Sequence, residues 1–371
     1  MSLRAAAQVL GLLVSMAPLA AGQRSGPDRV AVTLGTEGRG YTFGDYFAVK
    51  SLTQWAIPVA AVVPMGRFTL DAGAWYALTT LERFDAPPTS VSGITDTQVR
   101  GSYVLGDDAV VLTAMVNLPT GAENLSAAEY AVLAAASSSF FAFPVNGYGS
   151  GASITLGVAG AIEAGEWNLG LAGSGRLSRP FTPFEDAEGK FSYQSGPEVR
   201  LRAGADRLVG SGRLSLGLTF STFGDDEFAS GGGTTGIYRP GRRLIAEASF
   251  ATVIGPATVI GYAWDYYRWS GDSAGAVVPN RENLLTGGMQ ARWPLSRTVS
   301  WEPGIEGRLS IPEEGRAMLV EFSSGLRIRA ASHLAVIPIL RLAVGRLEEP
   351  APGFGHQLLG GSLSVFVRQS F

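Results

Sequence analysis

From about residue 29 to its end the chain alternates apolar residues with polar, small or charged ones, and this pattern narrows its possible folds more than any other feature. Leu214, Leu216, Leu218 and Phe220 alternate with Arg213, Ser215, Gly217 and Thr219. Val199, Leu201, Ala203 and Ala205 alternate with Glu198, Arg200, Arg202 and Asp206, and Leu326 and Ile328 with Arg327 and Arg329. A period of two sends neighbouring side chains to opposite faces of a strand, so each run carries one apolar and one polar face. Hydrophobic residues make up 46% of the chain. Even so, no apolar run beyond residue 22 approaches the roughly 18 residues of a membrane-spanning helix. The chain is apolar enough for a membrane and patterned for strands.

Short turns punctuate the runs at Pro64-Met65-Gly66, Gly106-Asp107-Asp108, Ala164-Gly165-Glu166, Gly210-Ser211-Gly212, Gly255-Pro256, Leu295-Ser296-Arg297 and Ala331-Ser332. Longer connections lie between them, at roughly 83–92, 119–149, 179–192, 222–240, 269–282, 311–316 and 346–356. Short turns on one side and long loops on the other are the pattern of a transmembrane antiparallel β-barrel. The turns join fourteen strands, and a first strand near 29–40 and a last one at 357–371 bring the expected total to sixteen, with fourteen the alternative count. The expected fold class is therefore all-β, a barrel with short periplasmic turns and long extracellular loops.

The two ends of the sequence point to export. Met1-Ser2-Leu3-Arg4 is a basic start, Ala5 to Leu19 an apolar stretch, and Ala20-Ala21-Gly22 a small-residue cleavage site. Residues 1–22 thus read as a secretory signal peptide and 23–371 as a single outer-membrane β-barrel domain. No cysteine follows to carry a lipid anchor. Leu363, Val365, Val367 and Phe371 share one face of the final strand. This segment resembles the C-terminal assembly signal of Gram-negative outer-membrane β-barrel proteins, with Gln369 where an aromatic is common. The resemblance implies the cell outer membrane as location, outer-membrane lipid and lipopolysaccharide as surroundings, and the barrel-assembly machinery as a partner through the Phe371 segment. Trp75-Tyr76, Trp264, Tyr266-Tyr267, Trp269, Trp293 and Trp301 are expected in interfacial girdles.

In a membrane barrel the polar face points inward. Arg100, Arg200, Arg202, Arg213, Glu247, Asp265, Glu302, Glu306, Arg308, Glu321, Arg327 and Arg329 are the candidate pore-lining residues. Asp71, Arg176, Glu198, Asp206 and Arg292 fall on the same faces. The signs nearly balance, which leaves selectivity open. The spacing predicts a basic patch of Arg200, Arg202 and Arg213 and, about a third of the way round, an acidic patch of Glu302, Glu306 and Glu321. In the longest loop Ser126 and Glu129 form a capping box ahead of Ala131 to Ala136. Leu125 and Tyr130 sit as a hydrophobic staple would. A helix of about ten residues is expected there, either as a constriction in the mouth or as a lid outside it.

Catalytic chemistry finds little material. There is no cysteine, which excludes thiol catalysis and Cys-based zinc sites, and the histidines are His333 and His356. His356 and Ser362 are the nearest approach to a Ser–His pair, and no Gly-x-Ser-x-Gly elbow or phosphate-binding Gly-x-x-x-x-Gly-Lys loop occurs. Asp225-Asp226-Glu227 lacks calcium-loop spacing and reads as a solvated acidic loop. No catalytic residue, metal site or cofactor is expected, and a net charge of −3 argues against nucleic acid.

Ser92-Gly93-Ile94-Thr95-Asp96-Thr97 precedes one strand, and Asn117-Leu118-Pro119-Thr120-Gly121 follows the next. Together they resemble the outer-membrane transporter family linked to phenol-degradation pathways of the MetA type, with Thr95 in place of the usual glycine. The resemblance implies uptake of small solutes, aromatic or other hydrophobic compounds among them. The functional expectation is an outer-membrane channel for passive passage of small solutes. The alternatives are a barrel enzyme, lipid hydrolase or protease, and a structural or adhesive barrel.

Overall fold

A computed structural model describes residues 29–44, 48–106, 110–187, 189–273, 276–278, 280–312, 315–348 and 355–371. The expected signal peptide lies outside these residues. The first strands are β1 (Ala31–Phe43), β2 (Val49–Met65), β3 (Phe68–Arg83), β4 (in two pieces, Thr89–Ile94 and Thr97–Leu105) and β5 (Val110–Leu118). Next come β6 (Ser153–Ala164), β7 (Trp167–Ser178), β8 (Glu198–Val209), β9 (Gly212–Phe223), β10 (Arg243–Ile254) and β11 (Ala257–Arg268). The last are β12 (Glu282–Pro294), β13 (Val299–Pro312), β14 (Arg316–Ala331), β15 (Leu334–Glu348) and β16 (Gly355–Ser370). Each pairs antiparallel with its predecessor, and β1 closes on β16 in unbroken register from Ala31 opposite Ser370 to Phe43 opposite Leu358. The result is the expected closed barrel of sixteen strands, the two pieces of β4 sharing one place in the wall.

Turn chemistry follows the backbone. Gly66, Gly106, Gly165, Gly210 and Gly255 adopt positive φ in five of the short turns. That region is nearly free for glycine and costly for other residues. The strand faces are inverted relative to a soluble protein. On neighbouring strands Leu171 is 70% exposed on the outside, while Asp206 is 3% exposed on the inside. Residues opposite one another in register share a face. The ladder therefore keeps Leu216 with Ala248 outside and Ser215 with Asp206 inside. An apolar exterior around a polar interior, with every strand edge paired, is what a barrel in a hydrocarbon layer requires.

Register corrects one expected face. Asp265 lies opposite Leu285 and Ala246, on the outer surface, three residues from the end of β11. Its carboxylate accepts a hydrogen bond from Asn283 Nδ2 at 3.0 Å. The inward member of that pair is Trp264, opposite Glu247 and Thr286. Trp264, Tyr266 and Trp75 pack inside against the core rather than in a girdle. An apolar side chain can point inward here because the barrel is not filled by water alone.

The long loops are not merely polar connections. Short strands at Ala276–Val278, Gly271–Ser273, Thr235–Arg239, Asp226–Ala229, Gly189–Gln194, Phe181–Asp186 and Leu125–Ser126 form a second, seven-stranded sheet in that order. Phe184 stacks on Phe191 at 4.7 Å, and Phe191 on Phe228 at 5.8 Å. The acidic stretch is part of this sheet. Asp225 pairs with Arg239 at 2.6 Å, and buried Asp226 accepts from Tyr193 and from the Gly196 amide. Asp226 is thus a structural anchor, correcting the expectation of a solvated loop. Burial and the Asp226 carboxylate push the Tyr193 hydroxyl upward, so it stays protonated and donates.

Candidate functional site: a lumen filled from one side

Helix α1 (Ala127–Ala136) forms where the capping box predicts it. The Ser126 amide donates to Glu129 Oε2 at 2.8 Å, and the Glu129 amide donates back to Ser126 Oγ at 3.3 Å. Leu125 is buried and lies opposite Phe184 in register, and Tyr130 packs on the same Phe184 ring at 4.8 Å. The helix buries Val132, Leu133 and Ala136, and the chain after it buries Phe140, Phe143, Val145 and Tyr148. These side chains join one core with Leu52, Ala77 and Val91 of β2 to β4 and with Leu284, Leu319 and Leu358 of β12, β14 and β16. Inward residues of such distant strands meet in one cluster only if the segment between them lies inside the barrel. Of the two expected positions the constriction is the one observed.

Polar contacts seat this plug. Gln54 donates through Nε2 to the Val145 carbonyl at 2.7 Å and accepts from the Val145 amide at 2.9 Å. Tyr41 donates to the Phe141 carbonyl at 2.8 Å, and Arg308 donates to the Phe140 carbonyl at 3.0 Å. The neck of the plug is gathered at the break in β4. There the buried Asp96 carboxylate accepts from Asn117 Nδ2 at 2.8 Å, the Gly121 amide at 2.9 Å, the Ser150 amide at 2.7 Å and Ser150 Oγ at 2.9 Å. The two sequence segments that carry the transporter resemblance therefore meet in space. Sequence reasoning flagged them as a motif and missed the Asp96–Asn117 contact.

Beneath the plug the charges are sealed in pairs. Arg308 sits 2.6 Å from Glu306 and 3.9 Å from Glu321. Arg39 lies 3.3 Å from Glu37 and 3.7 Å from Glu321, and Arg341 lies 3.7 Å from Glu37 and 3.5 Å from Glu321. Three arginines and three glutamates balance, so removing any one would leave a buried charge uncompensated. Glu37, Arg39 and Arg341 were not among the expected residues. In β1 the two charges alternate with Gly38 and Gly40, and Arg341 lies in the mostly apolar strand β15, so neither shows the apolar-polar signature.

The other side of the barrel differs. No residue of β5 to β10 belongs to the plug core. Their inward positions include Gly157, Ala159, Gly170, Ala172, Ser174, Gly204 and Gly217, which keep that wall low. Charged residues here carry their own partners. Arg200 pairs with Glu198, Arg202 with Glu247, Arg213 with Asp206 and, nearby, Arg100 with Asp71, each at 2.8 Å. Across the barrel Glu302 accepts from Arg292 at 2.7 Å and from Arg327 at 2.8 Å. Arg329 is inward and exposed. The expected opposed basic and acidic patches do not form as such, because Arg200, Arg202 and Arg213 each pair with a nearby carboxylate and Glu306 and Glu321 are consumed beneath the plug.

His356 and Ser362 share a face of β16 but stand six residues apart, roughly 20 Å along a strand. Ser362 accepts instead from Arg341 at 3.2 Å. Among the described residues no group of three or more potential metal ligands occurs.

No protein-family model matches the chain, and no curated protein sequence matches it. Solved outer-membrane structures do match. The toluene transporter TodX of P. putida aligns with a TM-score of 0.45 and 11% identity over 93% of this chain and 90% of that one. A Pseudomonas aeruginosa FadL homologue gives 0.45 and 10% over 92% and 90%. OmpT, an outer membrane protein of Vibrio cholerae, gives 0.42 and 10% over 92% and 97%.

Proposed function

We propose that this protein is an outer-membrane channel for passive passage of small solutes, with the pathway running off-centre between the plug and the low wall of β5 to β10. One observation carries the reading. The plug packs its apolar core against β1 to β4, β11, β12 and β14 to β16 and leaves the glycine-, alanine- and serine-lined wall without such a partner. In this reading Arg100, Arg200, Arg202, Arg213, Glu247, Glu302, Arg327 and Arg329 line the pore, while Glu306, Arg308 and Glu321 hold the plug. Export by residues 1–22 and assembly through the Phe371 segment belong to the same proposal. The family resemblance extends it to hydrophobic and aromatic solutes, and no catalytic residue is assigned. Refolded protein in planar bilayers should give discrete conductance steps and let small sugars swell liposomes. Neither conductance nor swelling would favour a barrel enzyme or a structural barrel.

A further inference from the structure

We propose that the pathway is selective for anions and that its solutes include small organic anions of the carboxylate class. This rests on the channel reading and deepens it. Three features of the interior point the same way.

The first is how the ion pairs face the lumen. Arg200 is 48% exposed and its partner Glu198 only 7%; Arg213 is 27% exposed and Asp206 only 5%. In each pair the carboxylate lies against the wall and the guanidinium reaches out. The reverse holds for Arg202 at 14% and Glu247 at 32%, and for Arg308 at 7% and Glu306 at 22% beneath the plug, so two pairs present their acid.

The second is stoichiometry. Glu198 serves both Arg176, at 3.6 Å, and Arg200. Glu302 serves both Arg292 and Arg327. Each trio keeps one positive charge.

The third is a concentration of arginines toward the short-turn end. Arg329 on β14 and Arg368 on β16 both lie opposite Ala335 of β15, and so share the inward face about 10 Å apart. Arg327 is one pleat from Arg329. With Arg292, which shares Glu302 with Arg327, four arginines and Glu302 thus occupy one stretch of wall, while the acids Glu37, Glu306 and Glu321 are paired under the plug. The Debye length at physiological salt, about 8 Å, is comparable to these separations, so a passing ion stays within the field. A guanidinium offers a carboxylate two parallel donors, which favours carboxylates over halide ions.

Reversal potentials across planar bilayers in a KCl gradient test the proposal. The unaltered protein should prefer chloride, and should stay anion-selective when acetate or benzoate replaces chloride. Arg327→Gln with Arg368→Gln should lower the anion-to-cation permeability ratio severalfold, and Glu302→Gln should raise it. Heat-modifiable migration on gels would show that each variant is folded. Cation preference in the unaltered protein overturns the proposal, as does loss of anion selectivity in acetate and benzoate. An unchanged ratio in folded forms of both variants overturns the role of this cluster. Absence of any conductance would instead overturn the channel reading itself.

Discussion

Phe140 and Phe143 should hold the plug more firmly than its polar latch does. Both are buried, and Phe143 meets the Tyr41 ring edge-on at 5.6 Å. Truncating a buried phenylalanine to alanine costs about 3–5 kcal/mol. A hydrogen bond from a charged donor, such as Arg308 to the Phe140 carbonyl, contributes about 1.5–3 kcal/mol, and a neutral one about 0.5–1.5 kcal/mol. The double variant Phe140→Ala, Phe143→Ala therefore removes more than any single wall bond can restore. It should release the segment between β5 and β6 to added protease and raise conductance, while the barrel stays heat-modifiable. Arg308→Met should behave differently. It strips Glu306 and Glu321 of a partner and should cost the barrel about 3–5 kcal/mol of stability. The apolar seat survives, so conductance should stay near that of the unaltered protein. If Arg308→Met opened the lumen and the double alanine variant did not, the ranking of packing over latch would be wrong.

Leu216→Arg should cost about 2–4 kcal/mol if it lies near the bilayer midplane, while inward Ser215→Arg should be nearly neutral. Equal penalties in urea titrations of the refolded protein would refute the assignment of faces. Asp96→Ala removes the acceptor for four donors; Asn117 Nδ2 keeps the Gly151 carbonyl, while the Gly121 and Ser150 amides lose this acceptor at about 1–3 kcal/mol for each left unpaired. New protease cleavage between residues 119 and 152 is expected, and an intact segment would mean that the neck is held elsewhere. Phe371 is 64% exposed, so deleting it should reduce the amount assembled in cells yet change the stability of refolded barrel by less than about 0.5 kcal/mol. A large loss of refolded stability would place Phe371 in the fold rather than in an assembly signal.

Much of the architecture was legible along the chain because its causes are local. Strand alternation follows from the backbone's period of two, and turn positions follow from glycines that tolerate positive φ. Counting turns therefore yields sixteen strands. Ser126 and Glu129 mark the start of α1 because a capping box closes within one turn. The interior was not legible in the same way. Only closure of β1 on β16 brings Glu37, Arg39, Glu321 and Arg341 together, from strands far apart in sequence. Trp264 and Asp265 exchange their expected faces because a plug offers the tryptophan an apolar partner, which no local window can report. The bond from Asp96 to Asn117 depends on a break in β4, and the second sheet depends on four connections meeting above the barrel. Local period and turn chemistry determine where the strands run and which residues share a face. Which charge meets which, and what fills the middle, depends on strands that only the closed ring sets side by side.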